Sequence, residues 1–352
     1  MSDRWAGRRV LITGHTGFKG AWLAWWLVRR GARVAGLALA PAPGPNLFAQ
    51  LRLGELVDST IADVRDAAAV RAAIERSRAE VVLHLAAQAL VRASYAAPRE
   101  TWDTNVIGTA TLLDAVRAAS GVRAVVVVTS DKCYRSDGLA RGYREDDPLG
   151  GRDPYSASKA GQELVAASYR ASFLAGGPLL ATVRAGNVIG GGDWSRERLI
   201  PDVVQALRDD VPVMLRHPDA VRPWQHVLEP LHAYLLVAER LAGGDRAAAS
   251  AFNVGPRDGD HRTVAEVVDR IARAWGREPA WTHDSGGGPE EAATLRLDAA
   301  KAERELGVVP RFTLDEACAR TAHWYRAWAT GSDARALCDA DLDAFEATPC
   351  RA

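Results

Sequence analysis

The sequence is short of several things that other functional classes depend on. Its 352 residues hold only four cysteines, Cys133, Cys318, Cys338 and Cys350, and none sit at the close spacing of zinc or redox sites. That argues against a disulfide framework or a metal site, and Cys133 reads as a small buried side chain rather than a nucleophile. Net charge is also missing: 44 lysines and arginines meet 44 aspartates and glutamates, so no global field draws the chain to nucleic acid or to a membrane surface. No apolar run reaches the roughly 18 residues of a membrane span. The opening "MSDRWAGRRVLITG" enters a strand pattern without a basic segment, apolar stretch and cleavage site. The expectation is a cytoplasmic protein with a small-molecule partner.

What is present is an alternation. Short β-branched runs, "RVLITG", "RVAGLAL", "VVLHLA" and "AVVVVTS", are separated by longer helical stretches rich in alanine and leucine. Strands that are apolar throughout must be covered on both faces, which predicts an α/β fold with a doubly wound parallel sheet. Residues 1–185 form the first domain, and 186–330 make a smaller, discontinuous lobe. Segments within about 220–260 are expected to return to the first domain, and 331–352 reads as a weakly packed tail. Gly- and Pro-rich inserts at 40–46, 144–154 and 186–202 fall after strands, at the carboxyl edge where such sheets bind ligands. Trp22, Trp25 and Trp26 lie close together on one helix and read as packing.

"VLITGHTGFKGAWLAWWL" puts Gly14, Gly17 and Gly20, with Phe18 and Lys19, between an apolar strand and a helix. A tight turn, a close backbone approach to a pyrophosphate and a helix N-terminus predict dinucleotide binding. Neither the acidic residue that binds a ribose 2′-hydroxyl nor an arginine for a 2′-phosphate stands at the end of the second strand, Arg33 aside, so these residues leave NAD and NADP open. Asp63 and Val64 are candidates for the adenine end, Leu85, Ala86, Ala87 and Gln88 for the cofactor wall, and Asn105 for a further contact.

"DPYSASKAGQEL" places Tyr155 and Lys159 four apart on one helix face. A cation beside a phenol lowers its pKa and makes it a base toward a hydroxyl. Ser130, ending the strand before "DKCY", completes a three-residue oxidation site. A redox-sensing regulator that merely binds the cofactor would have no need of Tyr155 and Lys159.

With these motifs the chain resembles the extended short-chain dehydrogenase/reductase superfamily over nearly its whole length. The stretches "GHTGFKGAWLAWWL", "TSDKCY", "GYREDDPLGGRDPYSASK", "RAGNVIGGGDW", "RLIPD" and "RPWQHVLEPL" resemble its sugar-nucleotide 4,6-dehydratase family. The resemblance implies a Rossmann domain with bound NAD, a nucleotide-sugar substrate, a role in deoxysugar biosynthesis and a homodimer formed through a helix bundle. It favours CDP-glucose over GDP-mannose or dTDP-glucose. By analogy Asp131 protonates the departing 6-hydroxyl and so must carry a proton near neutrality. Lys132 then either removes the carbon 5 proton or stays charged and stabilises the enolate. A 4-epimerase would need neither residue. Asn187 resembles a diphosphate contact, Arg222 offers a planar fork to the same group, and Arg196, Arg198, Leu199 and His226 are further substrate candidates. No metal is expected.

Overall fold

The computed structural model describes residues 4–195, 197–284 and 293–349. Six strands, β1 (Arg9–Thr13), β2 (Arg33–Ala38), β3 (Asp58–Ile61), β4 (Val81–His84), β5 (Ala124–Val128) and β6 (Leu179–Ala185), join the later strand Ala251–Val254 in one sheet. Its order is Ala251–Val254, β6, β5, β4, β1, β2, β3, and every pairing in it is parallel. From β1 the successive strands are added on one side as β2 and β3 and then on the other as β4, β5 and β6, so the carboxyl ends of β1 and β4 open a crevice at the switch point. β5, "AVVVV", is buried along its whole length. Burying each such valine stabilises the fold by about 1.5–3 kcal/mol before entropy is charged.

Helices end where local chemistry tells them to. Asp153 caps the helix Pro154–Ser172 by accepting from Ser156 N, and Pro154 occupies its first turn, where no amide partner is lost. Thr263 with Glu266 and Thr313 with Glu316 close reciprocal capping boxes on Val264–Trp275 and Leu314–Ala329. Beyond the main sheet lie three short strand pairs: Val188–Ile189 with Gln225–His226, Val221–Pro223 with His261–Thr263, and Val213–Leu215 with Trp281–His283. One hydrophobic cluster nonetheless runs from Trp5 through Phe252 to Phe345, so both parts of the chain share a core.

The expected tail is not one. Residues Ala334–Ala347 form a helix capped by Asp333, with Leu337, Cys338, Leu342 and Phe345 buried. It docks on the first helix, α1 (Phe18–Arg29): Trp25 Nε1 donates to Asp339 Oδ1 at 2.8 Å and Trp26 Nε1 to Glu346 Oε1 at 2.8 Å. The α1 tryptophans are core residues, as expected; the acidic terminal helix satisfies the indole N–H groups of Trp25 and Trp26, and Gly191 O that of Trp22.

Candidate active site

A cavity of about 860 Å³ opens at the carboxyl ends of the sheet. Its floor is the glycine loop. Gly14 has φ +78°, and a Cβ there would stand 2.8 Å from Ala86 N; one on Gly20 would overlap Gly14 O at 2.0 Å. These two positions admit only glycine. Gly17 caps α1 without a side-chain hydrogen bond, which leaves the first amides of the helix for an anion. Phe18, Lys19, Asp63, Val64, Leu85, Ala86, Ala87 and Gln88 all line the cavity. Asp63 is held below the usual carboxylate range by its bond with Arg65. Arg33 begins β2 at the opposite edge of the sheet.

Asn105 does not reach this cavity. Fully buried, it accepts from Gln88 N at 2.8 Å and donates to Gln88 O at 3.0 Å and to Ser158 Oγ at 2.8 Å. Its amide is used up in holding the Gln88 loop, so it shapes the wall without lining it.

The oxidation residues and the Asp131–Lys132 pair meet in one corner. β5 continues through Thr129 into a single turn, Asp131–Cys133, capped by Ser130, whose Oγ accepts from Lys132 N at 3.2 Å. The same hydroxyl donates to Asp131 Oδ1 at 2.9 Å, and Lys132 Nζ lies 3.9 Å from that oxygen. Asp131 Oδ2 is buried without a hydrogen-bond partner among the described residues; a Cβ on Gly186 would come within 3.2 Å of it. A glycine at 186 therefore gives this carboxylate room.

Tyr155 and Lys159 project from the Pro154–Ser172 helix, both buried. Burial pushes the Tyr155 phenol up to about 12, and a hydrogen bond with Ser130 works against that rise. Burial, followed by the nearby Lys19, pushes Lys159 down to about 7. Lys159 Nζ donates to Gln162 Oε1 at 2.6 Å and Val128 O at 3.4 Å. The lysine is thus bonded along its own helix, 6.0 Å from the centre of the Tyr155 ring, and the phenol is lowered by Ser130 first and then by Arg198. Lys19 is pushed down to about 8, by burial first and then by Arg198, while Asp131 and Asp193 hold it up. Cys133 is buried and its thiol is pushed up by desolvation, which fits an inert side chain.

On the facing wall Asn187, Arg198, Leu199 and Arg222 line the cavity. Asn187 Oδ1 is buried without a partner among the described residues. Arg222, also buried, sits in the strand Val221–Pro223. Arg196 lies outside the described residues. His226 is a core residue rather than a substrate contact: it accepts from Leu228 N at 3.3 Å and packs edge-on against Trp22 and Phe312. Burial pushes it down to about 3. Residues not anticipated also line the cavity, among them Asp193, Asp202, Met214, Arg216 and His217. Asp193, a buried carboxylate 3.5 Å from Arg198, follows three glycines in "GGGDW", and that run was the signal for it. The described residues contain no group of three His, Cys, Asp or Glu side chains placed to hold a metal.

This architecture recurs in solved structures. A dTDP-glucose 4,6-dehydratase from Streptomyces venezuelae with NAD bound superposes with a TM-score of 0.77 at 29% identity, covering 90% of this chain and 97% of its own. A UDP-glucose 4-epimerase from Thermus thermophilus in complex with NAD gives 0.79 at 27% identity, covering 90% and 99%. Fold and site together define a short-chain dehydrogenase/reductase of the type that works on nucleotide sugars. A CDP-glucose 4,6-dehydratase from Salmonella typhimurium is 47% identical over 335 residues, 94% of this chain and 93% of that one, and residues 11–321 match the model of the GDP-mannose 4,6 dehydratase family. The chain belongs to that family.

Proposed function

We propose that the protein converts CDP-glucose to CDP-4-keto-6-deoxyglucose with NAD as its cofactor. The observation that carries this reading is the placement of Asp131 and Lys132 on the same turn as Ser130, with Asp131 Oδ2 unpartnered among the described residues. Oxidation alone needs no such pair; loss of water does. The 47% identity to a CDP-glucose 4,6-dehydratase supports the choice of nucleotide.

The glycine loop, the uncapped start of α1 and the wall from Leu85 to Gln88 fit a dinucleotide, whose nicotinamide when bound supplies a reversible hydride acceptor. Tyr155 takes the proton of the sugar 4-hydroxyl, with Ser130 stabilising the phenolate. Asp131 gives a proton to the departing 6-hydroxyl. Lys132 takes the proton from carbon 5, which the adjacent ketone has acidified; carbon 6 would then recover the hydride that carbon 4 gave up, and carbon 5 a proton, leaving no net change of redox state. Arg222 and Asn187 hold the diphosphate, and Arg198 with Leu199 borders the same ligand. In domain terms, residues 1–185 with the returning strand at 251–254 carry the cofactor side, and 186–330 mainly the sugar nucleotide.

Incubating the protein with CDP-, dTDP- and UDP-glucose and GDP-mannose, and following the base-induced absorbance of 4-keto-6-deoxy products, tests the reading. Product from CDP-glucose supports it; product from another sugar nucleotide and none from CDP-glucose overturns it.

Trp102, Ile107 and Leu164 are exposed apolar residues on elements that pack together, as Gly161 meets Val106 and Trp102. They support a homodimer joined through this helical face. Light scattering of the protein, with Leu164→Glu as the disrupting variant, tests it.

A further inference from the structure

Behind the cavity lies a buried charge pair that the chemistry above does not use. Glu163, one turn beyond Lys159, and Arg184 of β6 bond at 2.8 Å with about 3–4% of either side chain exposed. Each partner also grips the segment carrying Ser130, Asp131 and Lys132. Thr129 Oγ1 donates to Glu163 Oε1 at 2.5 Å. At the other end Arg184 donates to Tyr134 Oη at 2.8 Å, and that hydroxyl donates to Asn253 Oδ1 at 2.6 Å. The Arg184 guanidinium lies 5.0 Å over the Tyr134 ring, which stacks on Tyr143. Thr182 Oγ1 fills the remaining acceptor site at Glu163 Oε2, at 2.8 Å.

We propose that the Glu163–Arg184 pair is a positioning device that clamps residues 129–134 at both ends and so fixes Ser130, Asp131 and Lys132 against Tyr155. The inference rests on the dehydratase reading for what the clamp is for. Its physical basis is independent of that reading. A buried ion pair is costly to desolvate and is a weak source of stability, but a pair bonded on every side, with Arg184 Nε the one atom of the two side chains left without a partner among the described residues, defines one arrangement of the groups around it. Here one carboxylate and one guanidinium tie β5, β6, the strand Ala251–Val254 and the Tyr155 helix to a single turn. A dehydration in which acid and base act in sequence on adjacent carbons is sensitive to small displacements of that turn.

The test removes the two pins singly and leaves the ion pair in place. Thr129→Val deletes one hydroxyl at nearly constant shape, Tyr134→Phe deletes the other and keeps the ring stack, and Thr129→Ser restores the first. Expected are a fall in kcat of about tenfold or more in Thr129→Val and in Tyr134→Phe, KM within about twofold, and recovery in Thr129→Ser. Amide hydrogen exchange across 129–134 should quicken by about tenfold in the two disrupting variants and not in the serine variant. Unchanged kcat and unchanged exchange, or a loss of rate that serine does not restore, overturns the clamp. If the wild-type protein turns over none of the four sugar nucleotides, the proposed function falls, and the exchange measurement still decides the clamp. Should one variant fail to fold, the other carries the same comparison.

Discussion

Ser130 Oγ donates to Asp131 Oδ1 across 2.9 Å, and the same hydroxyl draws down the Tyr155 phenol more than any other group does. One proton is therefore shared between the oxidation site and the carboxylate assigned to water loss. When it turns toward Tyr155 it favours the phenolate; when it turns toward Asp131 that lowering is lost and burial pushes the phenol up further. Tyr155→Phe keeps the buried ring and removes only the base. The rate should fall by about 10²–10⁴-fold with cofactor binding retained, and single-turnover kinetics should show that the first step, proton loss from the 4-hydroxyl, is the one blocked.

Asp131→Asn and Lys132→Met should behave differently from Tyr155→Phe. The asparagine can still accept from Ser130 but has no acidic proton to deliver, and the methionine fills similar space without an amine. Both should permit oxidation at carbon 4, seen as absorbance of reduced nicotinamide, while product forms about 10²-fold more slowly. Exchange of the carbon 5 hydrogen with solvent separates the two roles: it should persist in Asp131→Asn and disappear in Lys132→Met. Persistence in both would make Lys132 an electrostatic helper.

The parts of this fold that follow local rules were legible in the sequence. β1, β4 and β5 announce themselves as apolar runs, Gly14 and Gly20 as positions that no side chain can occupy, and Tyr155 with Lys159 as one helix face. Other parts depend on contacts that spacing does not carry. His226 shares a stretch with Arg222 and Trp224, yet Val221–Pro223 and Gln225–His226 are separate strands with different partners. The chain turns between them, and His226 ends in the core. Asn105 looked like a ligand contact because an amide in that place can serve either wall or ligand; its bonds to Gln88 decide it. The direction of Lys159 is set by Gln162, three residues away, whose effect depends on rotamers rather than on position.

The terminal helix shows the same limit in its packing. "CDADLDAFEA" has only two large apolar side chains, Leu342 and Phe345, and they gain meaning only against α1, some 300 residues earlier. Phe345 is fully buried, with Phe312 at 5.3 Å, Trp26 at 5.7 Å and His232 at 5.7 Å between ring centres. Phe345→Ala should destabilise the protein by about 3–5 kcal/mol, lowering the melting temperature by on the order of 5–10 °C. A loose tail would show no change, so calorimetry of this variant distinguishes the two descriptions.

Stability should fall on acidification in two stages. Burial pushes His84, His226 and His232 from 6.5 to about 3. Because the unfolded chain takes up these protons first, their neutral forms contribute stability that is present above pH 6.5 and lost as pH falls toward 3. Burial acts oppositely on two acids, raising Glu229 from 4.5 to about 7 and Asp341 from 3.8 to about 6. These bind protons in the fold before they do in the unfolded chain, so they add stability as pH falls toward about 4 and then stop. His15 is pushed down as well, to about 4, again by burial first, so between roughly pH 6 and 4.5 four histidines work against two acids and the balance is a net loss of stability as pH falls. Below about 4 neither acid compensates any longer, and the loss steepens. His232 stacks on Trp26 at 6.2 Å, and its Nδ1 has no hydrogen-bond partner among the described residues, so leucine can replace it without orphaning a polar group. His232→Leu should flatten both stages by one histidine's share, about 1.4 kcal/mol per unit, in melting curves recorded from pH 7 to 4. An unchanged slope would mean that this ring is already able to take up a proton in the folded protein.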